Sequence, residues 1–72
     1  MNVETLTPGQ RVLLTPRGSD SVYHGEYIER LPKGVSVFIV DEFVGLTGVD
    51  DIGDLYLADS EARRIVKPVE AH

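Results

Sequence analysis

The stretch Gly25-Glu26-Tyr27-Ile28-Glu29-Arg30-Leu31-Pro32-Lys33-Gly34-Val35-Ser36-Val37-Phe38-Ile39-Val40 decides the fold. Two runs rich in β-branched and aromatic residues flank Pro32-Lys33-Gly34, a turn in which proline presets one dihedral and glycine supplies a left-handed one. The reading is a β-hairpin. Its second strand alternates weakly, with Val35, Val37 and Ile39 as the expected inward set. In the first strand, Tyr27, Glu29 and Leu31 cannot share a face with Ile28 in a regular ladder, so a bulged or bent strand is expected.

Working outward, Thr7-Pro8-Gly9-Gln10 is an opening turn, and Arg11-Val12-Leu13-Leu14-Thr15 is a short strand halted at Pro16. Pro16 to Ser21 is dense in turn formers and makes a long first loop. On the other side of the hairpin, Val44 to Gly53 mixes glycines with single apolar residues, which suits a loop, because each interior glycine costs a helix about 1 kcal/mol relative to alanine. Leu55-Tyr56-Leu57 reads as a fourth strand. Ser60-Glu61-Ala62-Arg63-Arg64 carries helix chemistry, with Asp59 or Ser60 as N-cap, acids early and bases late, for a turn or two. Ile65-Val66-Lys67 before Pro68 completes five strands. Neither repeats nor linkers interrupt residues 1–72, so one domain is expected.

A chain of 72 residues with 12 Asp plus Glu against 7 Lys plus Arg has a formal charge of −5. At this length a domain buries only about 60% of the surface exposed when unfolded, which leaves little room for a deep private active site. With 42% apolar and 26% charged residues, the composition is that of a folded chain. No cysteine is present, which removes disulfides, thiolate metal sites and cysteine nucleophiles, and fits a reducing cytoplasm. Met1-Asn2-Val3-Glu4 lacks the basic and apolar regions of a leader, and the longest strictly apolar run is Phe38-Ile39-Val40. Neither a membrane nor nucleic acid is an expected partner, since affinity for either comes chiefly from Lys and Arg.

Together Gly9-Gln10-Arg11-Val12, Tyr23-His24-Gly25-Glu26-Tyr27-Ile28, and Tyr56-Leu57 followed by Ala62-Arg63-Arg64-Ile65 resemble the SH3-like small barrels over most of the chain. The resemblance implies an all-β, five-stranded SH3-like barrel with one short helical turn before the last strand. Fold alone assigns no activity. In layout the chain is most similar to the plasmid-borne type II dihydrofolate reductases, whose active pore forms when four copies assemble. That family places Gln-Ile-Tyr ahead of the final helical turn, where this chain has Leu55-Tyr56-Leu57, and a first-strand lysine where it has Leu14. The barrel is therefore carried over and the reductase activity is not; homo-oligomerisation is kept as a weaker suggestion, since Leu13, Leu14 and Phe38 on two-sided strands of so small a barrel would leave apolar surface over. A small homo-oligomeric enzyme with a site between subunits stays as an alternative.

Charge is unevenly placed. Residues 1–40 are balanced, whereas residues 41–61 hold Asp41, Glu42, Asp50, Asp51, Asp54, Asp59 and Glu61 with no Lys or Arg. One reading is an acidic face for a basic protein surface, where complementary charge raises association rate and specificity. Another is a solubilising loop that discourages edge pairing. Five interleaved apolar residues, Phe43, Val44, Leu46, Val49 and Ile52, favour the contact surface, with some of them plugging the barrel end. The residues expected to bind a partner are Tyr23, Asp41, Glu42, Leu46, Asp50, Asp51, Asp54 and Tyr56. A nucleic-acid-mimicking antagonist of a DNA- or RNA-binding protein is a related alternative.

Other chemistry is less well supported. From Asp50, the third and ninth positions of a calcium loop would be Ile52 and Ala58, so no metal site is expected. His24 is the one internal histidine, and Ser19 and Ser21 beside it lack a strained elbow and an orienting acid, so no catalytic residue is assigned. His72 stands at the C-terminus as a native residue or a tag remnant. No cofactor is expected. Tyr27 is expected in the core, and Tyr23 and Tyr56 suit either core or contact. Arg63-Arg64 complements a helix dipole or forms a small anion site.

Overall fold

The computed structural model describes residues 6–69. His72 and the first five residues lie outside that range. Within it, β1 (Arg11–Leu14), β2 (Tyr23–Leu31), β3 (Val35–Val40), β4 (Asp54–Ala58) and β5 (Val66–Pro68) form one antiparallel sheet, and α1 (Asp59–Ile65) lies between the last two strands in sequence. The strand order is β4-β3-β2-β1-β5. Among the described residues no pairing joins β4 to β5, so the sheet is open and the closed barrel expected from the sequence is not formed. No helix of the described residues is long and apolar enough to cross a membrane.

Local chemistry accounts for the sheet. Thr7 to Gln10 closes a turn through Gln10 N–H donating to the Thr7 carbonyl at 3.0 Å, with Gly9 at φ 90°, the left-handed third position that a type II turn requires. At the hairpin turn Lys33 and Gly34 both have positive φ, 74° and 73°. The register of β2 against β3 shifts between Tyr27 and Glu29, which is the expected bulge and leaves Ile28 as the extra residue.

The inward set of β3 differs from expectation. Ser36, Phe38 and Val40 are at most 1% exposed and face the core, whereas Val35 and Ile39 are only half-buried and Val37, though buried, lies on the other face. Five of six residues in this strand are apolar, so alternation carries little phase information. The phase comes from partners: Phe38 stands opposite Tyr27 and Leu55, and the Tyr27 and Phe38 rings meet edge to face at 5.6 Å. Around them pack Leu6, Val12, Leu14, Ala62, Ile65 and Val66, so Leu14 and Phe38, 1% and 0% exposed, are core residues and not the leftover apolar surface expected for self-association, and Leu13 is half-buried. Each large side chain so buried contributes about 1.5–3 kcal/mol.

α1 presents Ala62 and Ile65, three residues apart, to this core. Its N-cap is Ala58, which makes no side-chain capping bond, and not Asp59 or Ser60. Asp59 is instead the first helical residue, and its carboxylate is held by Arg30 of β2. Ile65 belongs to the helix, and β5 runs on through Pro68, a residue tolerated there because β5 is an edge strand.

Candidate functional site

The segment between β3 and β4 begins as a single 3-10 turn at Asp41–Phe43. Phe43 is half-buried, and its ring lies 5.2 Å from that of Tyr23, so this residue does plug the end of the core. Beyond it the chain forms a loop tied to itself. Gly45 N–H donates to the Asp51 carbonyl at 2.9 Å, Leu46 N–H to Phe43 at 3.0 Å, and Asp51 N–H to Gly48 at 3.1 Å. The Asp51 carboxylate accepts the Thr47 hydroxyl at 3.0 Å, the Thr47 N–H at 3.2 Å and the Gly53 N–H at 2.9 Å. These bonds, the Gly53 N–H first, hold the Asp51 carboxyl below its ordinary range.

This bonded loop points its apolar side chains at solvent. Val44, Leu46, Val49 and Ile52 are 56%, 69%, 100% and 60% exposed. Water around four aliphatic groups held on an internally bonded loop is unfavourable. Asp50 beside Val49 is exposed.

The other acids of the segment have separate uses. Arg11 on β1 clamps Asp41 through both guanidinium Nη atoms, Nη1 donating to Oδ1 at 3.3 Å; the clamp holds the Asp41 carboxyl below its usual range and raises the guanidinium. Glu42 accepts the His24 backbone N–H at 2.8 Å, while His24 Nδ1 lies 2.7 Å from Oε2, a contact that a protonated Nδ1 makes. That ring contact first, and the backbone bond second, lower the Glu42 carboxyl. Arg30 holds Asp59, and Arg64 approaches Glu61 at 3.9 Å.

Of the eight residues expected to form one contact face, the structure gathers only some. Asp41 and Glu42 are engaged by Arg11 and His24, and Asp51 is the internal staple of the loop. Tyr23 is half-buried beneath Phe43. Leu46 and Asp50 lie in the exposed loop, and Asp54 and Tyr56 are exposed on β4. In the sequence, Val44, Val49 and Ile52 stand out only as interleaved apolar residues. Their signal is apolar side chains within a glycine-rich stretch.

One cavity of about 220 Å³ lies among Leu14, Pro16, Tyr23, Val40, Phe43, Leu55, Leu57 and Ile65. Its lining suits a hydrocarbon group. No protein family, curated protein or solved structure matches this chain.

Proposed function

We propose that the chain is a non-enzymatic protein-interaction module, laid out as an SH3-like barrel left open between β4 and β5, that docks the loop at 44–54 onto a basic partner surface with an apolar centre. The order β4-β3-β2-β1-β5, with a long loop after β1 and a helical turn before β5, supports the SH3-like layout. The observation that carries the docking role is the loop itself: Asp51 fixes its backbone while Val44, Leu46, Val49 and Ile52 face water. Ordering those groups before binding lowers the entropy cost of association.

The partner's chemistry follows from the charge left over among the described residues. With Asp41, Asp59 and Glu61 opposite arginines, Asp50 in the loop and Asp54 at its exit supply the negative rim. A surface with Lys or Arg around an aliphatic patch complements both features.

The test is chemical-shift mapping with an amphipathic peptide of alternating Lys and Leu, and with its Glu and Leu counterpart as control. Shifts confined to the amides of residues 44–54, stronger with the cationic peptide and weakened by salt, support the role. Equal response to both peptides, or shifts elsewhere on the sheet, overturns it.

A further inference from the structure

The two edges of the sheet are unequal. β5 is three residues long and ends in Lys67-Pro68, the charge and the missing N–H that block pairing. β4 is Asp54-Leu55-Tyr56-Leu57-Ala58, without lysine, proline or bulge. Its hydrogen-bonding phase follows from the ends of the ladder. Val40 N–H donates to the Gly53 carbonyl and Asp59 N–H to the Gly34 carbonyl, both at 2.9 Å, so in an antiparallel pair Leu55 and Leu57 bond to Phe38 and Ser36. Asp54 and Tyr56 therefore turn N–H and C=O toward the free edge, and Ala58 its N–H. Tyr56 is 57% exposed.

We propose that this edge pairs antiparallel with β4 of a second copy of the chain, about a two-fold axis at Tyr56. The register is self-complementary. Tyr56 meets Tyr56 of the second copy as a hydrogen-bonded pair, Asp54 meets Ala58, and Leu55 meets Leu57, so no like charges stand opposite one another. Leu55 and Leu57 also line the apolar cavity, and pairing carries that lining across the interface. The edge adjoins the loop at 44–54 and shares Asp54 with it, but its response to salt is opposite. Two chains of formal charge −5 repel, so screening strengthens self-association while weakening a basic partner.

Sedimentation equilibrium of the full chain from ~10 μM to ~1 mM, the range in which weak dimers populate, tests the pairing. The expected result is a dimer whose fraction grows as salt rises from ~0.05 to ~0.5 M. Amide exchange at Asp54, Tyr56 and Ala58 should slow with concentration in the unaltered chain. Tyr56→Lys should weaken the dimer at least about tenfold, and Val49→Ser should leave it unchanged. A monomer at every concentration and salt, a dimer indifferent to Tyr56→Lys, or β4 edge amides that exchange fast in the dimer each overturns the proposal.

Discussion

Gly53 lies so close to Val40 that a Cβ on it would stand 2.7 Å from the Val40 carbonyl oxygen and 3.0 Å from the Val44 backbone nitrogen. Its own carbonyl accepts the Val40 N–H, so the base of the exposed loop is closed on the last residue of β3. Gly53 also has φ 79°, where an L side chain costs roughly 1–2 kcal/mol. Neither obstacle can relax without moving backbone.

Gly53→Ala should therefore destabilise the protein by roughly 2–4 kcal/mol, combining left-handed strain with overpacking. Urea unfolding followed by far-UV circular dichroism measures it. Gly48→Ala is the internal control, because a Cβ on Gly48 would meet nothing within 4 Å and its φ is not in the left-handed range. A Gly53→Ala midpoint equal to that of Gly48→Ala would contradict the close approach.

Acid should loosen the same region. Hydrogen bonds hold the carboxyls of Asp41, Glu42, Asp51 and Asp59 below their ordinary range, the donors being Arg11, His24, Gly53 N–H and Arg30 respectively. A depressed carboxyl contributes stability that is complete above its unfolded value, about 4, and is lost as pH falls through the folded value. The melting temperature should be insensitive to these groups between pH ~7 and ~5 and decline below ~4. Among these groups salt reduces the effect most at Asp41, whose ion pair is the most exposed, and less at Asp59, whose side chain is only 18% exposed. Asp51→Asn should shrink the acid response of the amides at 45–53 with little change in the global melt. A melting temperature that rises on acidification would exclude this account.

Ser36 gives a prediction of opposite sign. Its hydroxyl is fully buried between Arg30 of β2 and Leu57 of β4 in the register, and it has no hydrogen-bond partner among the described residues. An orphaned buried polar group costs about 1–3 kcal/mol. Ser36→Ala removes the orphan and leaves only a small void, so it should raise stability by about 1 kcal/mol, or roughly 4–8 °C in melting temperature for a domain of this size. Unchanged or lower stability would show that the hydroxyl is satisfied in solution.

The hairpin, the bulge and the two proline-glycine turns are legible in the sequence because local sterics write them into adjacent residues. Ser36 is not, since a polar residue inside a strand that is otherwise apolar gives alternation the wrong phase. The acid cluster also misleads. Arg11 and Asp41 are thirty residues apart, and Arg30 and Asp59 twenty-nine, so only the folded sheet brings each pair together. What remains of that segment for the proposed docking role is its apolar component. Glycines at 45, 48 and 53 disfavour a helix or strand there, and Val44, Leu46, Val49 and Ile52 are left exposed.

Lys33 is the one described residue other than glycine with positive φ, at 74°. A positive φ in this three-residue loop favours asparagine or glycine, because asparagine tolerates that conformation and lysine, with a full Cβ and no local hydrogen bond to offer, does so at a cost. Lys33→Asn should stabilise the hairpin by up to about 1 kcal/mol. Lys33→Gly should gain less, because glycine also raises the entropy of the unfolded chain. The order Asn above Gly above Lys in thermal melts, with unchanged β2–β3 register by cross-strand nuclear Overhauser contacts, is the expected result. If Lys33→Ala, which keeps the Cβ and removes the charge, matched Lys33→Asn, the gain would come from charge and not from the turn.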